Sequence, residues 1–189
     1  MNKIHTQIIS AFHGCGKTEC YKKYCNPKYN YKVLDYDNSD FNIQYIIENI
    51  GKIDVIFCSS HKNVRDILKN NEIIQNLIKE NKCTIYLAFP VKEQKQEYIN
   101  RYKNRGSTNG FIKLLSDNWD IWIDSMMNEC NFNKFIMRDN FLTDIVFSEN
   151  EREKIIMKNK NDFTKLSQEE KDKYCSNCGC TGGCNLCQK

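Results

Sequence analysis

Six residues near the start of the chain, His13-Gly14-Cys15-Gly16-Lys17-Thr18, have the types and spacing that bind phosphate. Glycines at 14 and 16 allow the backbone to fold into a nest whose N–H groups converge on phosphate oxygens. Lys17 adds a mobile positive charge, and the Thr18 hydroxyl can face the Mg²⁺ that accompanies ATP. A helix starting here adds the positive end of its dipole to the same spot. These six are the expected nucleotide-binding residues, with Lys17 in a catalytic role and Thr18 on the metal. The competing explanation is a glycine-rich turn with a chance Gly-Lys-Thr. An apolar strand directly before it and a helical stretch directly after weigh against that. Ala11 stands where a full loop of this type begins with glycine, but it ends the strand, whereas the glycines nearest a phosphate are 14 and 16. The Cys15 thiol needs no role, because the position supplies only its backbone N–H.

Other chemistry-bearing side chains recur where apolar runs end. "LDYD" presents Asp35 and Asp37 two apart, on one side of an extended segment. "DYDNSD" is also rich in turn formers, so a solvated turn is the alternative. The run "DVIFCSS" lacks an acidic terminus and closes on Ser59, Ser60 and His61, with Arg65 one helical turn further on. His61 suits either a polar helix cap or a substrate contact. Arg101 and Arg105 are four apart, so on a helix they share one face and can reach a common anion; a plain basic helix face is the alternative. Near the end of the sequence, Cys175, Cys178, Cys184 and Cys187 form two C-x-x-C arms around Cys180. Four thiolates can surround Zn²⁺ tetrahedrally. The arms lie closer together than in a usual zinc ribbon, so an iron–sulfur cluster and an unstructured reduced tail stay open.

Positioning these groups requires a scaffold, and the apolar pattern supplies one. Strand-like runs "IHTQIISA", "YKVLDY", "DVIFCS", "TIYLAF" and "KFIMR" alternate with helical stretches "GKTECYKKYC", "FNIQYIIENI", "NVRDILKN", "NEIIQNLIKE", "VKEQKQEYINRYKNR" and "GFIKLLSDNWDIWIDSMMNE". The expected fold is α/β, a parallel five-stranded sheet with helices on both faces. Ligands of such a sheet collect beyond the carboxyl ends of its strands. Trp119, Trp122, Ile123 and Met126, near helical spacing, read as core packing. Residues 1–158 form this domain, 159–174 a polar linker or short helix entered at Ser167-Gln168-Glu169-Glu170, and 175–189 the cysteine-rich appendage.

The 189 residues suffice for one domain with a real core, and 40% hydrophobic with 28% charged residues is an ordinary globular balance. The formal charge of +4 is spread along the chain with no basic block that would mark a nucleic-acid arm, and so mild an excess fits a small anionic substrate as well as a polynucleotide. No apolar run reaches the about 20 residues of a membrane span, and the first residues do not read as a signal peptide. A cytoplasmic protein is expected, with its scattered cysteines as free thiols.

The segments "AFHGCGKT", "VLDYDNSDF", "DVIFCSSHKNVRDIL" and "EYINRYKNRGS", spread over roughly residues 4 to 128, resemble small P-loop kinases of the adenylate kinase and shikimate kinase type. They are most similar to short nucleotide-kinase-like proteins of bacteriophages, for which the location would be the host cytoplasm. The resemblance implies ATP with Mg²⁺ at the glycine loop. It sets Asp35 and Asp37 against the phosphate acceptor, with Asp37 holding its hydroxyl or a Mg²⁺-bound water. It gives Arg65 an anionic group of the acceptor, and makes Arg101 and Arg105 catalytic lid arginines over the transferring phosphoryl group. The implied reaction is phosphoryl transfer from ATP to a small anionic acceptor, first of all a nucleoside or deoxynucleoside monophosphate. A metabolite hydroxyl or polynucleotide end is an alternative acceptor. A nucleotide-binding or sequestering protein without turnover is a third reading, given weight by the missing acid after the third apolar run.

Overall fold

The computed structural model describes residues 4–36, 40–138 and 141–147. Five strands, β1 (Thr6–Ala11), β2 (Val33–Tyr36), β3 (Val55–Ser59), β4 (Cys83–Pro90) and β5 (Asn133–Met137), form one sheet in the order β2-β3-β1-β4-β5. Every pairing is parallel. The central strands carry apolar side chains on both faces: all five residues of β3 are buried, and in β1 only Gln7 is not. That is the composition of a sheet covered on both sides.

The covering helices are α1 (Lys17–Tyr24), α2 (Ile43–Asn49), α3 (Lys62–Asn70), α4 (Glu72–Lys79), α5 (Lys95–Asn104), α6 (Asn109–Met127) and the short α7 (Leu142–Ile145). Side chains close the amino ends of three of them. Asn42 accepts from the Gln44 N–H, Asn71 from Ile74, and Thr108 from Phe111. The helix expected over 91–105 is split: Lys92–Gln94 make one 3₁₀ turn after Pro90 ends β4, and the α-helix starts at Lys95. Among the described residues no helix is long and apolar enough to cross a membrane.

The strand order sets where ligands can sit. From β1 the chain moves to the β2 edge; every later connection moves back toward β5. Because such crossovers are right-handed, α1 lies on one face of the sheet and α2 to α6 on the other. The chain leaving β1 therefore turns away from the chains leaving both neighbours, β3 and β4. A crevice opens on each side of the β1 carboxyl end, which is the position where open α/β sheets bind ligands. The residues that follow β1 are His13 to Thr18.

Candidate active site

The loop between β1 and α1 turns on two left-handed glycines, Gly14 at φ 81° and Gly16 at φ 95°. Gly16 is the N-cap of α1 and has no side chain to close the first turn, unlike the caps of α2, α4 and α6. The loop is held from three sides. The Cys15 side chain is buried, its Sγ 3.4 Å from the Tyr98 hydroxyl, so the thiol serves packing and burial pushes its pKa up. From the α7 side the Leu142 N–H donates to the Cys15 carbonyl at 3.2 Å. From α5, Tyr98 and Tyr102 press so closely on Gly14 that a Cβ there would lie 3.1 Å from the Tyr98 ring.

Lys17 is buried, and its Nζ donates to the Ala11 carbonyl at 2.9 Å. Ala11 thus matters through its backbone, at the end of β1. Thr18 donates from Oγ1 to Asp35 Oδ2 at 3.1 Å. The third strand ends in Ser59, whose hydroxyl accepts the His61 N–H at 3.3 Å, so β2 and not β3 brings the carboxylate to this threonine. The resemblance sets Asp35 toward the acceptor; in the structure its carboxylate accepts from the loop hydroxyl of Thr18. Its partner in the motif, Asp37, lies outside the described residues, as do Cys175, Cys178, Cys184 and Cys187. Among the described residues, no group of three or more His, Cys, Asp or Glu is placed to hold a metal ion. Thr18 and Asp35 are hard oxygen donors side by side, which suits Mg²⁺ when nucleotide phosphates and water complete its shell.

Arg101 reaches the same loop. Its Nη1 donates to the Gly14 carbonyl at 3.2 Å, Nη2 pairs with Glu97, and the guanidinium lies 4.4 Å from the centroids of both Tyr98 and Phe141. Arg105, one turn later, lines a cavity of about 370 Å³ together with His13, Gly14, Gly16, Lys17, Thr18, Glu19 and Tyr102. The two arginines expected on one face therefore both meet the glycine loop, Arg101 on its carbonyl and Arg105 on the open side. Phe141, packed 3.5 Å from where a Gly16 Cβ would sit, carried no signal in the sequence.

Arg65 is elsewhere. It is 4% exposed, between α3 and α6, where Nη1 donates to the Ser60 carbonyl, Nη2 to Ser125 Oγ at 2.6 Å, and Nε faces Glu129 at 3.6 Å. Burial lowers its pKa, and Glu129 opposes that shift. It borders a second cavity of about 590 Å³, whose walls include Phe12, His61, Trp122 and Met126. His61 occupies the N-cap position of α3 without making a side-chain capping bond; its ring meets that of His13 at 4.9 Å. His13 lines both cavities. Trp119, Ile123 and Met126 are core residues as expected, while Trp122 is half-buried on the second cavity.

No protein-family model, curated protein or solved structure matches this chain.

Proposed function

We propose that the protein transfers a phosphoryl group from ATP to a small acceptor. The observation that carries this reading is the convergence on one loop of Gly14 and Gly16 in left-handed geometry, Lys17, the Thr18–Asp35 pair, Arg101 and Arg105. In this reading the loop N–H groups and the α1 amino end hold the ATP phosphates, and Thr18 and Asp35 hold the metal. Lys17 exchanges the Ala11 carbonyl for a phosphate oxygen. Mg²⁺, when bound, neutralises charge on the phosphate oxygens. Phosphoryl transfer depends on positioning and positive charge, and Lys17 and Arg105 supply that charge at the cavity. An acceptor oxygen bonds to the γ-phosphorus while the bond to ADP breaks, and ADP leaves with the electron pair.

The resemblance to nucleotide kinases makes a nucleoside or deoxynucleoside monophosphate the first acceptor to try. One observation favours a hydroxyl acceptor, of a metabolite or a polynucleotide end: Arg65, expected to grip the acceptor's anion, already faces Glu129. The test is purified protein with Mg-ATP and a panel of monophosphates, nucleosides and oligonucleotides, followed by ADP release and product mass. Acceptor-dependent transfer that Lys17→Ala and Asp35→Asn abolish is expected. ATP binding without transfer to any acceptor would make the chain a nucleotide-binding protein, and indifference of ATP binding to Lys17→Ala would remove the phosphate site itself.

A further inference from the structure

Resting on the phosphoryl-transfer reading, we infer that the second cavity selects an uncharged, ring-bearing acceptor such as a nucleoside, and rejects its monophosphate. The cavity occupies the crevice between the ends of β1 and β3, since Phe12 and His13 follow one and Ser60 and His61 the other. Its volume of about 590 Å³ is that of a small-molecule site. It adjoins the loop cavity at His13, so an acceptor held here presents an end toward the γ-phosphate position.

The walls state what fits. Phe12, Trp122 and Met126 give an apolar wall in which the Phe12 and Trp122 rings are inclined at 60°, and the half-buried Trp122 is the aromatic face most open to a planar ring. His61 and Asn63, both exposed, offer hydrogen-bonding groups to it. Two wall residues carry full positive charge, and each is matched by a carboxylate: Arg65 by Glu129, and Lys62 by Asp66 at 2.6 Å. Arg65 also has both terminal nitrogens committed, to Ser60 and Ser125. A second phosphate entering the cavity could recruit the Arg65 guanidinium only by breaking its buried bonds to Ser60 and Ser125 and its pairing with Glu129, and could recruit Lys62 only from its surface pair with Asp66, costs that neutral hydroxyls do not incur. In the transfer the acceptor's O–H oxygen bonds to phosphorus, ADP leaves with the electron pair of the broken bond, and the hydroxyl proton passes to the exposed His61 imidazole and on to solvent.

Trp122 provides the readout, because the other tryptophan, Trp119, is wholly buried. Titration of the full chain with adenosine and thymidine, without ATP, should change tryptophan fluorescence and saturate, and Trp122→Phe should remove the signal. Adenylate and thymidylate should bind at least about tenfold more weakly. Asp66→Asn, on an exposed pair that folding does not need, releases Lys62 and should narrow that gap; Glu129→Gln should narrow it further by releasing Arg65. Monophosphates binding as tightly as nucleosides, or neither binding at millimolar concentration, overturns the inference. ATP-dependent transfer to monophosphates alone would also overturn it while leaving phosphoryl transfer intact. Nucleoside binding at Trp122 with no transfer would instead remove the kinase reading and leave the cavity's preference standing.

Discussion

Replacing Gly14 by alanine should cost this protein more than the same change at its other left-handed glycines, and the difference measures how tightly α5 clamps the loop. Gly14, Gly51 and Gly106 have φ of 81°, 83° and 73°. An L-residue pays about 1–2 kcal/mol at such an angle, and the entropy that alanine removes from the unfolded chain is common to all three. Of these three, only at Gly14 does the new Cβ meet anything, Tyr98 at 3.1 and 3.2 Å and the Tyr102 hydroxyl at 3.4 Å, whereas at Gly16 it would make ordinary contact with Phe141 at 3.5 Å. Tyr98 is 1% exposed and lies against Phe12 and Trp119, with centroids at 6.1 and 5.2 Å, so it has nowhere to retreat. Overpacking of that kind adds about 1–3 kcal/mol. For a chain of this size each kcal/mol moves the melting temperature by about 2–4 °C. Calorimetry or circular dichroism should therefore show a drop of roughly 10 °C for Gly14→Ala against roughly 4 °C for Gly51→Ala and Gly106→Ala. Equal shifts at the three positions would refute the clamp, and with it the claim that α5 fixes the loop's shape.

Glu129→Ala should destabilise by about 3–5 kcal/mol in urea unfolding, because it leaves the Arg65 charge buried without its carboxylate. Arg65→Met/Glu129→Leu should cost less than the single change, and the opposite order would show that the pair contributes little. Alkaline pH should weaken the fold through buried thiols. Burial pushes Cys20 up to about 12 and Cys83 up to about 11 from an ordinary 9.0. The unfolded chain then loses these protons first, so their contribution is complete below pH 9 and is lost as pH rises toward the folded values. The slope is about 1.4 kcal/mol per pH unit for each thiol. Urea midpoints that stay level across that window would contradict the burial.

The central strands β1, β3 and β4 were legible because they are buried on both faces, which concentrates Ile, Val, Phe and Leu in short runs, whereas the edge strands β2 and β5 are only partly buried and mix in Asp, Asn and Lys. The glycine loop was legible for a different reason: Gly14 and Gly16 take backbone angles that other residues avoid, so their identity reports their geometry. The destinations of polar side chains were not legible. Asp35 turns to Thr18, and Arg65 turns inward to Glu129, 64 positions away; no local spacing encodes either choice. Arg101 lies on α5, and Arg105 is the residue that caps its carboxyl end. That Arg101 would lie between Tyr98 and Phe141 depended on a segment beyond β5 that carries no motif.

The absence of an acid after β3 looks at first like a defect in a phosphate site, and the sheet order explains why it need not be one. β2 sits beside β3 in parallel register, with Asp35 paired to Phe57 and Tyr36 to Cys58. A carboxylate on β2 therefore stands one strand further from β1 than a carboxylate on β3 would. Thr18 bridges that extra distance, since it lies on α1, the helix that crosses the sheet from β1 toward β2. The substitution has a structural consequence. With Ser59, Ser60 and His61 at the end of β3 in place of an acid, the crevice between β1 and β3 carries no uncompensated negative charge from that strand, and an apolar wall of Phe12, Trp122 and Met126 can form beside the loop. Moving the carboxylate to β2 separates the metal side of the proposed site from the acceptor side, with His13 as the divide between them.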